Sequence, residues 1–186
     1  MRYVLVILGL LVCGQARAYD DLVLPKVEFA ATAIHQAGAF QSKDRIHYAD
    51  GKLRIDHGNG FSVTILDFTT QTQCLLMVNH TYLILPMDDE LYRRYVARTA
   101  DMSGARKIGT ERMAGLDTTK YAFGDDGQLD AAGTYWLTGT GIMVRRAYDE
   151  GVFGRNVHHV EYLTDVVIEK QPAALFLIPA GYTRAK

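Results

Sequence analysis

The hydrophobic pattern of this chain alternates from one residue to the next over much of its length. Ile46 and Tyr48 alternate with polar neighbours, and Leu53 and Ile55 do the same after an Asp-Gly pair. This alternation predicts two strands with one apolar and one polar face. The Asp-Gly pair supplies the positive φ angles that a tight hairpin between them requires.

Further runs rich in β-branched and aromatic residues recur at intervals of roughly 8 to 12 residues, which is typical of an antiparallel β domain. We expect a mainly β (α+β) fold, in one domain over residues 19–186. The remaining predicted strands are Phe61–Asp67, 73–79, 81–85, Lys107–Met113, Thr118–Phe123, Thr134–Thr138, Ile142–Ala147, Val160–Glu169 and Leu175–Ile178. The polar, glycine-rich stretches Gly124–Gly133 and Asp149–Asn156 are predicted to be mobile turns.

The period changes over Asp88–Val96, where the apolar residues fall on one helical stripe. Acidic residues begin this stretch and arginines follow, an order that complements the helix dipole. We therefore predict a helix there that covers the sheet. Its apolar stripe consists of Leu91, Tyr92, Tyr95 and Val96.

The first eighteen residues have the features of a secretory signal peptide. Arg2 precedes a short apolar run, and a small-x-small site follows it, so we expect cleavage after Ala18 and export from the cytoplasm. The apolar run is too short for a membrane anchor, since a spanning helix needs roughly 20 apolar residues. A less favoured alternative is a lipoprotein acylated at Cys13, because Val12 stands where lipoprotein processing requires a small residue.

Composition excludes some partners and cross-links. The chain has 20 basic and 21 acidic residues, and removal of residues 1–18 takes away two arginines and no acid. A weakly acidic surface does not favour nucleic-acid binding. Cleavage would also leave Cys74 as a lone thiol in an apolar run, which we expect to be buried and inert.

The residue types and their spacing do not indicate an enzyme. None of the six histidines has the spacing of a known metal motif, and His158 and His159 should point to opposite faces of a strand. We expect surface or rim histidines, no metal and no cofactor. No nucleophile elbow or phosphate-binding loop is present in the sequence.

The abundant apolar side chains at alternating positions have two interpretations. They form either the filled core of a β domain or the lining of an apolar pocket in a curved sheet that does not close. A connected apolar cavity of at least about 300 Å³ would favour the pocket. The candidate ligand-binding residues are Phe40, Ile46, Tyr48, Val63, Ile65, Leu76, Leu83, Leu85, Tyr92, Tyr95, Trp136, Tyr162 and Phe176.

Several short motifs in this order resemble a bacterial family of secreted proteins of DUF4412 type, which is similar to the LolA/LolB lipoprotein-carrier superfamily. The motifs are 48–56, Lys107–Glu111, Gly115–Tyr121, Tyr135–Leu137 and Leu175–Tyr182. The resemblance implies an incomplete antiparallel barrel with a short helical lid, and a cavity for acyl chains. The segment Asp88–Val96 would then belong to the lid.

The sequence is compatible with two functions. The first is a periplasmic carrier or binding protein for a hydrophobic small molecule or acyl chain, without catalysis. The second is an interaction or sensor domain that docks another envelope protein, with its concave face filled by its own side chains. Fold alone does not decide between them, because one fold supports many functions.

Overall fold

The computed structural model describes residues 22–98, 102, 104–124, 132–152 and 155–185. The expected signal peptide and its cleavage after Ala18 lie outside the described residues, as does most of the stretch Gly124–Gly133. No helix in the described ranges is long and apolar enough to cross a membrane.

Within these ranges the regular secondary structure is almost all β-strand, with one turn of α-helix, α1 (Asp89–Tyr92), and one 3-10 helix (Ala173–Phe176). The strands are β1 (Leu22–Val23), β2 (Phe29–Ala37), β3 (Phe40–Ala49), β4 (Lys52–Asp56), β5 (Ser62–Asp67), β6 (Thr72–Met77), β7 (Thr81–Pro86), β8 (Ala97–Arg98), β9 (Arg106–Met113), β10 (Leu116–Phe123), β11 (Gly133–Thr138), β12 (Met143–Val152), β13 (Arg155–Ile168) and β14 (Thr183–Arg184).

Among the described residues, twelve strands form one sheet in the order β14-β7-β6-β5-β4-β3-β2-β13-β12-β11-β10-β9, and β1 pairs with β8 separately. All neighbours are antiparallel except β14, which runs parallel to β7. The sheet is curved, and its end strands do not pair with each other, so it remains an incomplete barrel. The predicted mainly β fold class is confirmed.

The predicted hairpin is formed by β3 and β4. Its turn residues Asp50 and Gly51 have φ angles of 47° and 70°, the positive values that a type I′ turn requires. Ile46 then lies opposite Ile55, and Tyr48 lies opposite Leu53. All four of these side chains are buried, so register and alternation together give the sheet one apolar face.

We call this apolar face the inner face, because the segment 87–97 packs against it. Tyr92 and Val96 of that segment belong to the same buried cluster as Ile46 and Leu53. Val27 and the other apolar residues near the start of the described chain pack against this cluster as well. The inner face is therefore covered by chain from outside the large sheet.

The opposite, outer face is partly covered by the C-terminal segment, residues 169–185. The Arg54 guanidinium donates a hydrogen bond to the Leu175 carbonyl at 2.9 Å, and the Gln171 backbone N–H donates to the Glu28 carboxylate at 2.6 Å. The predicted strand Leu175–Ile178 is wrong, because Pro172 fixes a φ of −59° and a 3-10 turn follows it.

Two other local predictions are also corrected. The predicted helix Asp88–Val96 ends as an α-helix at Tyr92, because Tyr95 bonds back to Tyr92 through a tighter turn and the chain then enters β8. The stretch Asp149–Asn156, predicted to be a mobile turn, continues the β12–β13 ladder as far as Val152 and Arg155. On these strands the Asp149 Oδ1 atom lies 2.8 Å from His158 Nδ1.

Gly133 is the single glycine of β11 and has no room for a side chain. A β-carbon there would collide with the Ala147 carbonyl oxygen and would lie 2.6 Å from Phe123 Cζ. We expect Gly133→Ala to lower the free energy of unfolding by about 1–3 kcal/mol, the range for overpacked sites. Gly139→Ala is the control, because a β-carbon at Gly139 meets open space. Equal urea-unfolding curves for both variants would contradict the packing described.

Candidate functional site

Beneath α1, the described part of the chain is packed core and not the expected apolar cavity. An open groove of about 570 Å³ lies beside Leu91 and Tyr95, but most of the residues in its wall are polar. Ile46, Tyr48 and Tyr92 are buried in one core cluster, and the enclosed space beside Tyr95 measures only about 20 Å³. That volume suits about one water molecule. Of the candidate residues on this face, Leu83 is half-buried, whereas Phe40 and Leu85 are exposed at the rim.

The candidate ligand-binding residues do not share a single face. Ile65 lies opposite Arg54 and not opposite Leu53, so its side chain is on the outer face. The same alternation places five further candidates outside: Val63, Leu76, Trp136, Tyr162 and, on the C-terminal segment, Phe176. The expectation that the candidate residues line one continuous face is therefore wrong, because their side chains point to opposite faces of the sheet.

The outer face carries a row of paired cations and aromatic rings, which we call the outer row. Lys120 lies opposite Trp136, Trp136 opposite Arg145, and Arg145 opposite Tyr162. The Lys120 ammonium lies 4.6 Å from the centre of the Trp136 ring, and the Arg145 guanidinium carbon lies 4.9 Å from it. Trp136 is 5% exposed, which confirms the burial that its strand position suggests, and its indole N–H donates to the Glu111 carboxylate.

Beside the outer row lies an open groove of about 570 Å³, which we call the β13 groove. Arg145 and Tyr162 form part of its wall, and Gln36, Thr164 and Asp165 supply its other polar groups. Most of the wall is apolar, and its volume is in the range of small-molecule sites. Its apolar lining consists of Met113, Ala114, Val144, Val160, Tyr162, Leu163 and Val166.

The inner face also contains a cluster of polar side chains, the inner cluster, in which Arg146 and Glu161 are buried and His35, Asp44 and His159 are half-buried. Glu161 is 4% exposed, and its Oε2 lies 3.7 Å from Arg146 Nη1. The same Nη1 donates to the Arg93 carbonyl at 3.3 Å, so Arg146 links the sheet to the turn after α1. The Arg146 guanidinium also lies 4.0 Å from the centre of the Tyr148 ring.

Burial shifts the titration of two members of the inner cluster in opposite directions. Burial raises the pKa of Glu161 to about 7, although Arg146 and Arg94 oppose the shift. Burial, with the charges of Arg94 and His159, lowers the pKa of His35 to about 4. At neutral pH the cluster therefore holds a neutral His35 and a Glu161 near its midpoint.

Asp44 provides the second link between the sheet and the turn after α1. Its carboxylate accepts hydrogen bonds from the Gly58 N–H at 3.0 Å and from the Tyr95 hydroxyl at 3.4 Å. Burial would raise the pKa of Asp44, but hydrogen bonds from His57, Gly58 and Tyr95 outweigh it and leave the pKa lowered. Burial likewise raises the pKa of Tyr95, so this hydroxyl stays a donor.

The inner cluster was not predicted from the sequence. His35 and His159 were expected at the surface or the rim, but their Nε2 and Nδ1 atoms lie 3.4 Å apart inside the sheet's curve. Strand alternation could have indicated it, because Glu161 stands two positions before the buried Leu163 and so points to the same face of β13. In the described part of the chain, no three His, Cys, Asp or Glu side chains come together as metal ligands. Cys74 is half-buried, and burial raises the pKa of its thiol.

The chain is similar to known proteins in its fold alone. No family model matches the chain, and no curated protein does. An uncharacterized conserved protein from Thermus thermophilus is 12% identical and shares the fold, with a TM-score of 0.56 over 86% of this chain and 90% of that one.

Two other solved structures give weaker matches. The complex of MucA and MucB from Pseudomonas aeruginosa is 14% identical, with a TM-score of 0.45 over 84% of this chain and 56% of that one. This chain thus spans about half the length of MucB. An outer membrane lipoprotein-sorting protein domain from Vibrio parahaemolyticus is 10% identical, with a TM-score of 0.25 over 81% of this chain and 89% of that one.

The inner cluster predicts a defined dependence of stability on pH. Glu161 has a folded pKa above its ordinary value of 4.5, so its contribution to stability grows as the pH falls through about 7. His35 has a folded pKa below 6.5, so its contribution is lost as the pH falls from 6.5 towards 4. Lowering the pH from 8 to 6 should therefore raise the free energy of unfolding of wild type. In Glu161→Gln the rise should be smaller by about 1 kcal/mol.

Urea unfolding at the two pH values measures this difference. Glu169→Gln is the control, because Glu169 is exposed and should leave the pH dependence unchanged. Parallel pH profiles for wild type and Glu161→Gln would show that Glu161 does not titrate in this interval.

Proposed function

We propose that this protein is a non-catalytic binding module of the bacterial cell envelope that holds a hydrophobic ligand, a single acyl chain, in the β13 groove. The observation that carries the proposal is the groove itself: about 570 Å³ of space with a mainly apolar wall. Sites for small apolar ligands have this size and composition, with a few polar groups that fix orientation.

The position of the proposed site differs from that expected for a lidded carrier. A chain beneath α1 would have to displace Tyr92 and Val96 from a closely packed core. The β13 groove is open, so a ligand enters it without displacing any described core side chain. The short helix α1 is then part of the packed core, and the ligand lies in the β13 groove and not in a cavity beneath the helix.

Export to the periplasm and membership of the DUF4412-type family are part of the same proposal. Both rest on the sequence: the small-x-small site at residues 16–18, and the ordered motifs from Tyr48 to Tyr182. The shared curved sheet of the Thermus thermophilus protein supports the fold that these motifs imply.

A fluorescent fatty acid, cis-parinaric acid, tests the proposed site directly. Wild type should bind it, and Val160→Lys should weaken binding about tenfold or more, because an ammonium group would enter the apolar groove. Val63→Lys is the matched control, since Val63 is also a half-buried outer-face valine but lies outside the groove. Absence of binding to wild type, or equal losses in the two variants, would contradict the proposal.

A second candidate function is docking of another envelope protein, and strand β9 favours it. No described strand pairs with the free side of β9, whereas the opposite end of the sheet is the two-residue strand β14. An eight-residue edge strand of this kind can receive a strand from a partner. Arg106, Lys107 and Arg112 are exposed along it, so it suits an acidic segment.

A synthetic acidic β-strand peptide and its lysine counterpart test this docking by fluorescence anisotropy. Wild type should prefer the acidic peptide, and Lys107→Glu with Arg112→Glu should reverse the preference, because the edge charge is inverted. The control is Lys26→Glu with Arg45→Glu, two exposed cations away from β9. If wild type binds neither peptide, the docking function fails.

A further inference from the structure

We propose that the ligand of the β13 groove carries a carboxylate head group, and that Arg145 recognises it. This inference rests on the proposed function and names the ligand class: a single-chain fatty acid. Arg145 is the cationic side chain in the groove wall.

The position of Arg145 is fixed by its neighbours on both sides. It lies between Trp136 and Tyr162 in the outer row, with its guanidinium carbon 4.9 Å from the Trp136 ring centre. An arginine stacked on an aromatic ring keeps the edge of its guanidinium group free for planar acceptors. The stacking thus orients Arg145 before any ligand arrives.

One donor of this arginine is buried without a partner. Arg145 Nε is inaccessible to solvent and makes no hydrogen bond with any described residue. A ligand in the open groove therefore meets the Nη groups of Arg145 and not its Nε, and a carboxylate would accept charge-assisted hydrogen bonds from them. The nearby Glu111 carboxylate is engaged by the indole N–H of Trp136.

The charges around the groove give the ligand a direction. Lys120 stands on the other flank of Trp136, so two cations lie along the outer row. Asp165 also lines the groove, and its carboxylate would repel an anion. The head group is therefore placed at Arg145, with the chain along Val160, Val166 and Met113.

The size of the groove suits a single-chain lipid. A volume of about 570 Å³ is that of a site for one small molecule, and one acyl chain matches it. A carboxylate also matches the fork of one arginine in a bidentate pair.

The test compares lauric acid with lauryl alcohol, which has the same chain and no charge. Trp136 is the single tryptophan of the chain and touches Arg145, so its emission reports binding, and calorimetry gives the affinity independently. Wild type should bind the acid about tenfold or more tightly than the alcohol, the value of a charge-assisted hydrogen bond. In Arg145→Gln this preference should fall below about twofold.

Two variants control for indirect effects. Arg145→Lys keeps the charge without the fork and should retain an intermediate preference for the acid. Arg45→Gln removes an exposed outer-face arginine away from the groove and should change nothing. The acid-to-alcohol ratio of wild type tests the inference even if Arg145→Gln does not fold.

The outcomes separate this inference from the proposed function. Equal affinity of wild type for acid and alcohol would overturn the carboxylate assignment and leave the apolar groove in place. Failure of wild type to bind either compound would overturn both. A preference for the acid that survives in Arg145→Gln would overturn the role of Arg145.

Discussion

An open, curved sheet has to cover its apolar inner face with chain that does not belong to the sheet. This requirement shapes the molecule more than any single bond does. The face built around Ile46, Leu53 and Ile55 is buried because Tyr92 and Val96, together with residues around Val27, pack onto it from outside the sheet. Apolar area that stayed exposed there would weaken folding and invite association. The segment 87–97 is thus part of the core, and the charged inner cluster sits where this segment meets the sheet.

The sequence was sufficient for the periodic features and insufficient for the choice of face. The Asp50-Gly51 hairpin and the burial of Ile46, Tyr48, Leu53 and Ile55 follow from alternation and turn chemistry. Ile65 and Trp136 are buried too, but on the other side of the sheet, beneath the C-terminal segment and within the outer row. A sheet that is covered on both faces buries apolar residues of both phases, so hydrophobicity alone does not tell inner from outer positions.

The inner cluster shows the same limit for polar residues. Glu161 and Arg146 are far apart in sequence from His35, and only the pairing of β2, β13 and β12 brings the three together. A buried ion pair is weak support for stability, because desolvation offsets much of its attraction. The inner cluster instead fixes where the turn after α1 lies on the sheet. Arg146 bonds to the Arg93 carbonyl, and Asp44 accepts a hydrogen bond from the Tyr95 hydroxyl. An apolar contact would permit several positions of this turn, whereas these directional bonds select one.

This arrangement separates the packed inner face from the open β13 groove. On the inner face, Arg146, Glu161 and Asp44 are tied to one another or to the turn after α1, although His35 Nδ1, His159 Nε2 and Glu161 Oε2 have no hydrogen-bond partner in the described chain. The space enclosed beside Tyr95 holds about one water molecule. Beside the outer row, the β13 groove combines open apolar surface, part of it formed by the core residues Val144 and Leu163, with the half-buried cation Arg145. A small-molecule site combines unfilled, mainly apolar volume with a few polar groups that orient the ligand. The β13 groove has both, and Trp136 and Tyr162, on either side of Arg145 in the outer row, hold that arginine in place.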